Sequence, residues 1–209
     1  CGGFIRTRRD APLSDLAFLF VESPSLEAGI WVIDPFRRRR SGAGGDGFTC
    51  RVALLRPRSR GRVYLRSPEP QAPPGFDPAY LSETEDLDVL VRGVDLYRRL
   101  VSQSPFDPYR GEEVTPGPDV RTEAEVRDWI RTAADHQCHP VGTCSMGSGP
   151  EAVVDASLLV RGVMGLRVAD ASVMPTIPGA HMHATTVVIA ERASDLILGR
   201  SPPAPDPQL

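Results

Sequence analysis

His139-Pro140-Val141-Gly142-Thr143-Cys144-Ser145-Met146-Gly147 opens a stretch in which titratable side chains and turn residues alternate. It continues through Gly165-Leu166-Arg167-Val168-Ala169-Asp170-Ala171-Ser172-Val173-Met174-Pro175 and closes with Gly179-Ala180-His181-Met182-His183-Ala184-Thr185-Thr186-Val187-Val188-Ile189-Ala190-Glu191. Pro140 pushes His139 toward extended backbone. Leu166 to Ala169 reads as a short strand ending in Asp170, and Ala152 to Asp155 as another. Ala184 to Leu198 reads as an apolar-rich helix, with Gly199 at the position where a left-handed residue stops it. Nowhere else does the chain combine histidines with such turn chemistry.

Composition narrows the classes of function. The 209 residues carry a net charge of −3 and are 41% hydrophobic. That is enough for one substantial core or two small ones, with no global positive field to recruit nucleic acid. No apolar run is long enough to span a bilayer. Cys1, Cys50, Cys138 and Cys144 are irregularly spaced and do not form a dense disulfide framework. His136, Cys138, His139 and Cys144 lack the close ligand pairs of structural zinc, so no metal is expected. Gly142-Thr143-Cys144-Ser145-Met146-Gly147 lacks the G-x-S-x-G nucleophile elbow. Ser-His-Asp triads form without that elbow, so a hydrolase is disfavoured on this ground and not eliminated.

Upstream, Phe4-Ile5, Leu16 to Val21 and Ile30 to Ile33 are short apolar runs bounded by Pro and Asp, and read as strands. Arg37 to Arg40 and the glycines up to Gly47 read as a solvated loop. Gly42, Gly44 and Gly47 formally spell G-x-G-x-x-G, but no strand precedes and no helix follows, so it is not a phosphate loop. Phe48–Leu55 and Val63–Leu65 flank Pro57-Arg58-Ser59-Arg60-Gly61 and read as an antiparallel hairpin. The proline-rich residues 67–79 and 104–120 read as loops. Ser82 with Glu85, and Thr122 with Glu125, have capping-box spacing at the starts of two helices. The first carries the apolar stripe Leu87, Leu90, Val91, Val94 and Val101. The second buries Val126, Trp129, Ile130 and Ala133 and ends near Asp135.

The order HPVGTCSMG, GLRVADASVMP and a His-containing loop before an apolar helix resembles the C-terminal part of the glucose–methanol–choline (GMC) family of flavin-dependent oxidoreductases. GGFIRTR, RPRSRGRVYLRS and PYRGEEVTPG are similar to its choline dehydrogenase-like branch. The resemblance implies an α+β fold: residues 1–135 as a portion of an antiparallel-sheet substrate domain with packed helices, and 136–199 as the segment completing an α/β flavin-binding domain. Residues 200–209 are expected to be a disordered tail. It implies FAD as cofactor, a small-molecule alcohol as substrate, and oxidation of its CH–OH group by hydride transfer to flavin. An imidazole has the pKa for the base this needs, and a second polar group would hold the oxygen as charge develops. The resemblance places these roles on His139 and His181. The choline dehydrogenase branch carries Asn in place of His181, which turns the expectation away from choline. Asp170 and Ala171 match a cofactor contact, made through backbone N–H groups because a carboxylate would repel a pyrophosphate. Met182, His183 and Thr185 would meet the cofactor at the start of the last helix, whose positive end favours reduced, anionic flavin.

Such enzymes begin with a dinucleotide-binding half, which the chain lacks, so the missing N-terminal half is an expected partner. The electron acceptor is left open. Two alternatives stand beside the oxidoreductase reading: a non-catalytic module that cannot bind flavin alone, and a family lyase. A cytoplasmic location is the expectation, with a leader left open by a chain that starts at Cys1 in mid-strand.

Overall fold

The computed structural model describes residues 2–21, 48–201 and 204. The expected strand at Ile30–Ile33 and the Arg37–Gly47 loop lie outside them, as does most of the tail. The chain divides into two compact units, Cys1–Cys138 and His139–Leu209.

The first unit is built on a three-stranded antiparallel sheet of β1 (Gly2–Ile5), β2 (Leu16–Val21) and β3 (Thr49–Leu54), in the order β1-β2-β3. Phe4 pairs with Ala17, and Phe18 with Val52. Period-two alternation sends Leu16, Phe18, Cys50 and Val52 to one face, where they meet helix α1 (Thr84–Val101). The stripe of Leu87, Leu90, Val94, Tyr97 and Val101 along α1 fills that side of the core. Helix α2 (Glu123–Ala133) adds Val126 and Ile130, with Trp129 partly buried against the same cluster. Gly93 lets α1 approach the sheet, for a Cβ there would lie 2.5 Å from Leu16 and 2.6 Å from Val52. An α+β architecture with antiparallel strands follows, as the sequence implies.

Two local expectations fail for one reason. Thr122 and Glu125 form the capping box at α2, but Ser82 and Glu85 do not form one at α1. The buried Asp86 carboxylate instead accepts the N–H groups of Arg58 and Ser59, each at 2.8 Å, and the Ser59 hydroxyl at 2.6 Å. Ser59 Oγ in turn accepts the N–H of Glu83 at 3.2 Å. The turn at 57–61 is thereby latched onto the start of α1 and does not close a hairpin. β3 pairs with β2, while β4 (Arg62–Tyr64) pairs with β5 (Gly75–Asp77), a strand within residues read as loop.

In the second unit, the strands expected at Ala152–Asp155 and Leu166–Ala169 are only isolated bridges: Met146 with Val154, Val154 with Val160, and Leu159 with Arg167. Left-handed backbone at Leu158, Gly162 and Gly165 turns the chain before consecutive ladder pairs can form. The helix is present as α3 (His183–Leu198), and Gly199 ends it at φ 67°. Ile189, Ala193 and Leu196 put one stripe of α3 against Val154, Leu158 and Val173. Val187, Val188, Ile197 and Leu198 of the same helix are exposed.

Candidate active site

The second unit holds His139 and His181, and its loops bring the two rings together. Their centroids are 5.5 Å apart and their planes meet at 72°, an edge-to-face contact. His139 is half-buried. Loss of solvent, and then the nearby His181, hold its imidazole below the ordinary value of 6.5. The lowered pKa favours the unprotonated form of His139, the form able to accept a proton.

The geometry rests on a 3₁₀ turn at Ala171–Val173. Its Ser172 carbonyl accepts the N–H groups of Gly142 and Cys144, both at 3.1 Å, and its Val173 carbonyl accepts that of Met146 at 2.9 Å. Alternate residues of the HPVGTCSM loop are thus fastened as if to a strand edge. Gly142 adopts φ 88°, a conformation that favours glycine. Arg161 locks the end of this loop by donating to the carbonyls of Gly147 and Gly149.

Asp170 caps the 3₁₀ turn by accepting the Ser172 N–H at 2.8 Å. The Ser172 hydroxyl and N–H hold its carboxyl below the usual carboxylate range. Ala171 is the first residue of the turn, half-buried. Met182 is buried and is the N-cap of α3, and no side chain caps that end. His183, exposed, is the first helical residue and does not act as the cap. Thr185 sits half-buried in the same turn. The first turn of α3 contains no acidic residue, so no carboxylate offsets the positive end of the helix dipole.

The structure brings His139 and His181 into contact, and sets Asp170 and Ala171 in the turn that fastens the His139 loop. Ser172 escaped the sequence reading, although the Asp-x-Ser spacing is that of a local side-chain-to-backbone turn and could have marked it. Among the described residues, no group of three or more His, Cys, Asp or Glu could hold a metal ion. No helix among them is long and apolar enough to cross a membrane.

Known proteins share this architecture. A family model described as GMC oxidoreductase matches residues 57–190, more than half of the chain. An oxygen-dependent choline dehydrogenase of Chromohalobacter salexigens is 36% identical over 200 residues, covering 96% of this chain and 34% of that protein. An alcohol dehydrogenase (acceptor) of Pseudomonas putida is 36% identical over 197 residues, covering 94% and 34%. Among solved structures, pyridoxine 4-oxidase from Mesorbium loti superposes with a TM-score of 0.78 at 27% identity, covering 96% of this chain and 38% of that one. A fungal aryl-alcohol oxidase gives 0.64 at 34%, covering 73% and 25%. A formate oxidase of Aspergillus oryzae studied for FAD modification shares the fold, with a TM-score of 0.75 at 24% identity, covering 90% and 32%. The chain spans about a third of the length of the curated relatives it matches. On the match of the family model and these likenesses, the chain belongs to the GMC oxidoreductase family.

Proposed function

We propose that this chain is the substrate-side and active-site portion of an FAD-dependent oxidoreductase that converts a small alcohol to its aldehyde or ketone. The observation that carries the reading is the edge-to-face His139–His181 pair, in which loss of solvent and the neighbouring ring lower the pKa of the more buried His139. The proton acceptor for alcohol oxidation must be unprotonated at working pH, and the lowered pKa of His139 favours that form. It takes the hydroxyl proton on a ring nitrogen. His181 hydrogen-bonds the same oxygen and steadies it as negative charge builds.

FAD, when bound, supplies the acceptor for the carbinol hydride. The residues fit such a group: an uncapped helix start without carboxylates suits an electron-rich ring system. Met182, His183 and Thr185 would hold it there, with Asp170 and Ala171 contributing backbone groups of the 3₁₀ turn. The remaining cofactor contacts come, in this reading, from the part of the relatives' length that the chain does not span. The exposed Val187, Val188, Ile197 and Leu198 on α3 support its packing within a larger flavin domain.

The test uses the full-length flavoprotein carrying this chain and follows anaerobic flavin reduction, with choline and an uncharged primary alcohol as parallel substrates. His139→Ala should slow reduction by on the order of a hundredfold to ten-thousandfold, with partial recovery at high pH. His181→Asn, which keeps a hydrogen-bonding group, should lose about tenfold or less. In the wild type, the ascending limb of kcat/KM should lie below pH 6.5, the sign set by His139's lowered pKa. The reverse order, with His139→Ala mild and His181→Asn crippling, would overturn the assignment.

A further inference from the structure

The carbonyl of Ser172 carries an unusual share of the site. Both of its acceptor positions are taken by the loop that bears His139, one by Gly142 N–H and one by Cys144 N–H. A rotation of that single carbonyl would release two of the three bonds fastening the loop to the turn. What prevents the rotation is Asp170. Its carboxylate takes the Ser172 N–H at 2.8 Å, which fixes the peptide plane before Ser172. Its main-chain oxygen takes the Val173 N–H at 3.3 Å. That N–H and the Ser172 carbonyl lie in one rigid peptide plane, so fixing the first aims the second. The main-chain bond aims the carbonyl directly, and the carboxylate, by holding the preceding plane, keeps the turn in which that bond forms.

We propose that Asp170 is a positioning residue for His139, acting through Ser172, and that the property it supplies is a capping oxygen and not its negative charge. The Asp170 side chain is exposed, so its charge is screened by water, whereas its hydrogen bond geometry is local and short-ranged. This role differs from the backbone contact to cofactor expected of the same residue. It rests on the reading of His139 as the base, because positioning matters to turnover only if His139 does chemistry.

The experiment separates cap from charge with two variants of the full-length flavoprotein. Asp170→Asn discards the charge and keeps an oxygen that caps as well as Asp does. Asp170→Glu keeps the charge on a side chain one methylene too long for the same turn. Hydrogen exchange is measured on the peptide containing Gly142 and Cys144, and flavin reduction and the pH profile of kcat/KM are measured alongside. The expected result is unchanged exchange in Asp170→Asn, with flavin reduction disturbed less than in Asp170→Glu. Asp170→Glu should exchange faster in this peptide, reduce flavin about tenfold more slowly, and move the ascending limb toward the ordinary imidazole value. Asn slow and Glu near wild type would make the charge decisive and overturn the inference. Unchanged exchange in Asp170→Glu would overturn it as well. If His139→Ala proves mild, the reading of His139 as base fails by itself, and the exchange result still decides whether Asp170 holds the loop.

Discussion

Replacing Gly93 by alanine sets two effects of opposite sign against each other. In a helix interior the change is ordinarily favourable by about 1 kcal/mol, because alanine restricts the unfolded chain and favours helical geometry. At Gly93 the new methyl would sit 2.5 Å from Leu16 Cδ1 and 2.6 Å from Val52 Cγ1. Carbon atoms rest about 3.5–4.0 Å apart, so roughly 1 Å must be found on both sides at once. Leu16 and Val52 are each 0% exposed, and Val52 is branched at Cβ and stiff. Overpacking of this kind costs about 1–3 kcal/mol. The clash should offset or outweigh the helix term and leave Gly93→Ala destabilised by up to about 2 kcal/mol. Urea denaturation followed by tryptophan fluorescence reads the change, since Trp129 packs against this core. A companion variant sharpens the case. Val52→Ala alone should cost about 2–3 kcal/mol for lost methyls and the space they leave. In the double variant the methyl introduced by Gly93→Ala occupies part of that space, so the pair should be less destabilised than the sum by about 1 kcal/mol. A stabilised Gly93→Ala, or strict additivity, would refute the close approach of α1 to the sheet.

Three further expectations can be checked on the same material. Thr122→Ala should lower stability by about 1 kcal/mol by removing the α2 cap. Its partner Glu125 is held below the usual range by Thr122 and Arg121 N–H groups, so the box stabilises above the unfolded carboxyl pKa and fades as pH falls through the lower folded one. A urea midpoint that is unmoved by the mutation would count against it. Desolvation pushes the Cys50 thiol far above the ordinary thiol range, while Cys138 is exposed; a disulfide reagent should label Cys138 in the native protein and spare Cys50 until unfolding. Purified by itself, the 209-residue chain should be colourless, because in the proposed function the rest of the flavin site lies outside it; a stoichiometric flavin band would contradict that reading.

The legible parts of this fold were those written in local periods. The β2 run, the stripe from Leu87 to Val101, the Thr122–Glu125 box and the Gly199 stop each specify structure within a few residues. What was not legible depended on distant partners. Ser82 and Glu85 have the same spacing as Thr122 and Glu125, yet at α1 it is Ser59, held by the Asp86 latch, that accepts the Glu83 N–H. The same latch decided that Val63 would pair with Phe76 and not with β3. At the site, periodicity could not have brought His139 to His181 from loops so far apart, and family resemblance supplied that pair. Ser172 was missed because its contribution is a main-chain carbonyl, which residue type does not advertise.

The bonds that fasten the His139 loop also dictate when it can form. A chain is made from its N-terminus, and His139, Gly142 and Cys144 leave the ribosome well before Ser172, which accepts the backbone N–H groups of the latter two. Val173 beneath that turn is buried in turn by Ala193 on α3, later still. Contacts of such sequence separation must await closure of the intervening chain. The His139 loop and its setting are consequently completed only after Ser172 and α3 have been made. A nascent or C-terminally shortened chain can contain His139, Asp170 and His181 and still lack the surface that lines them up.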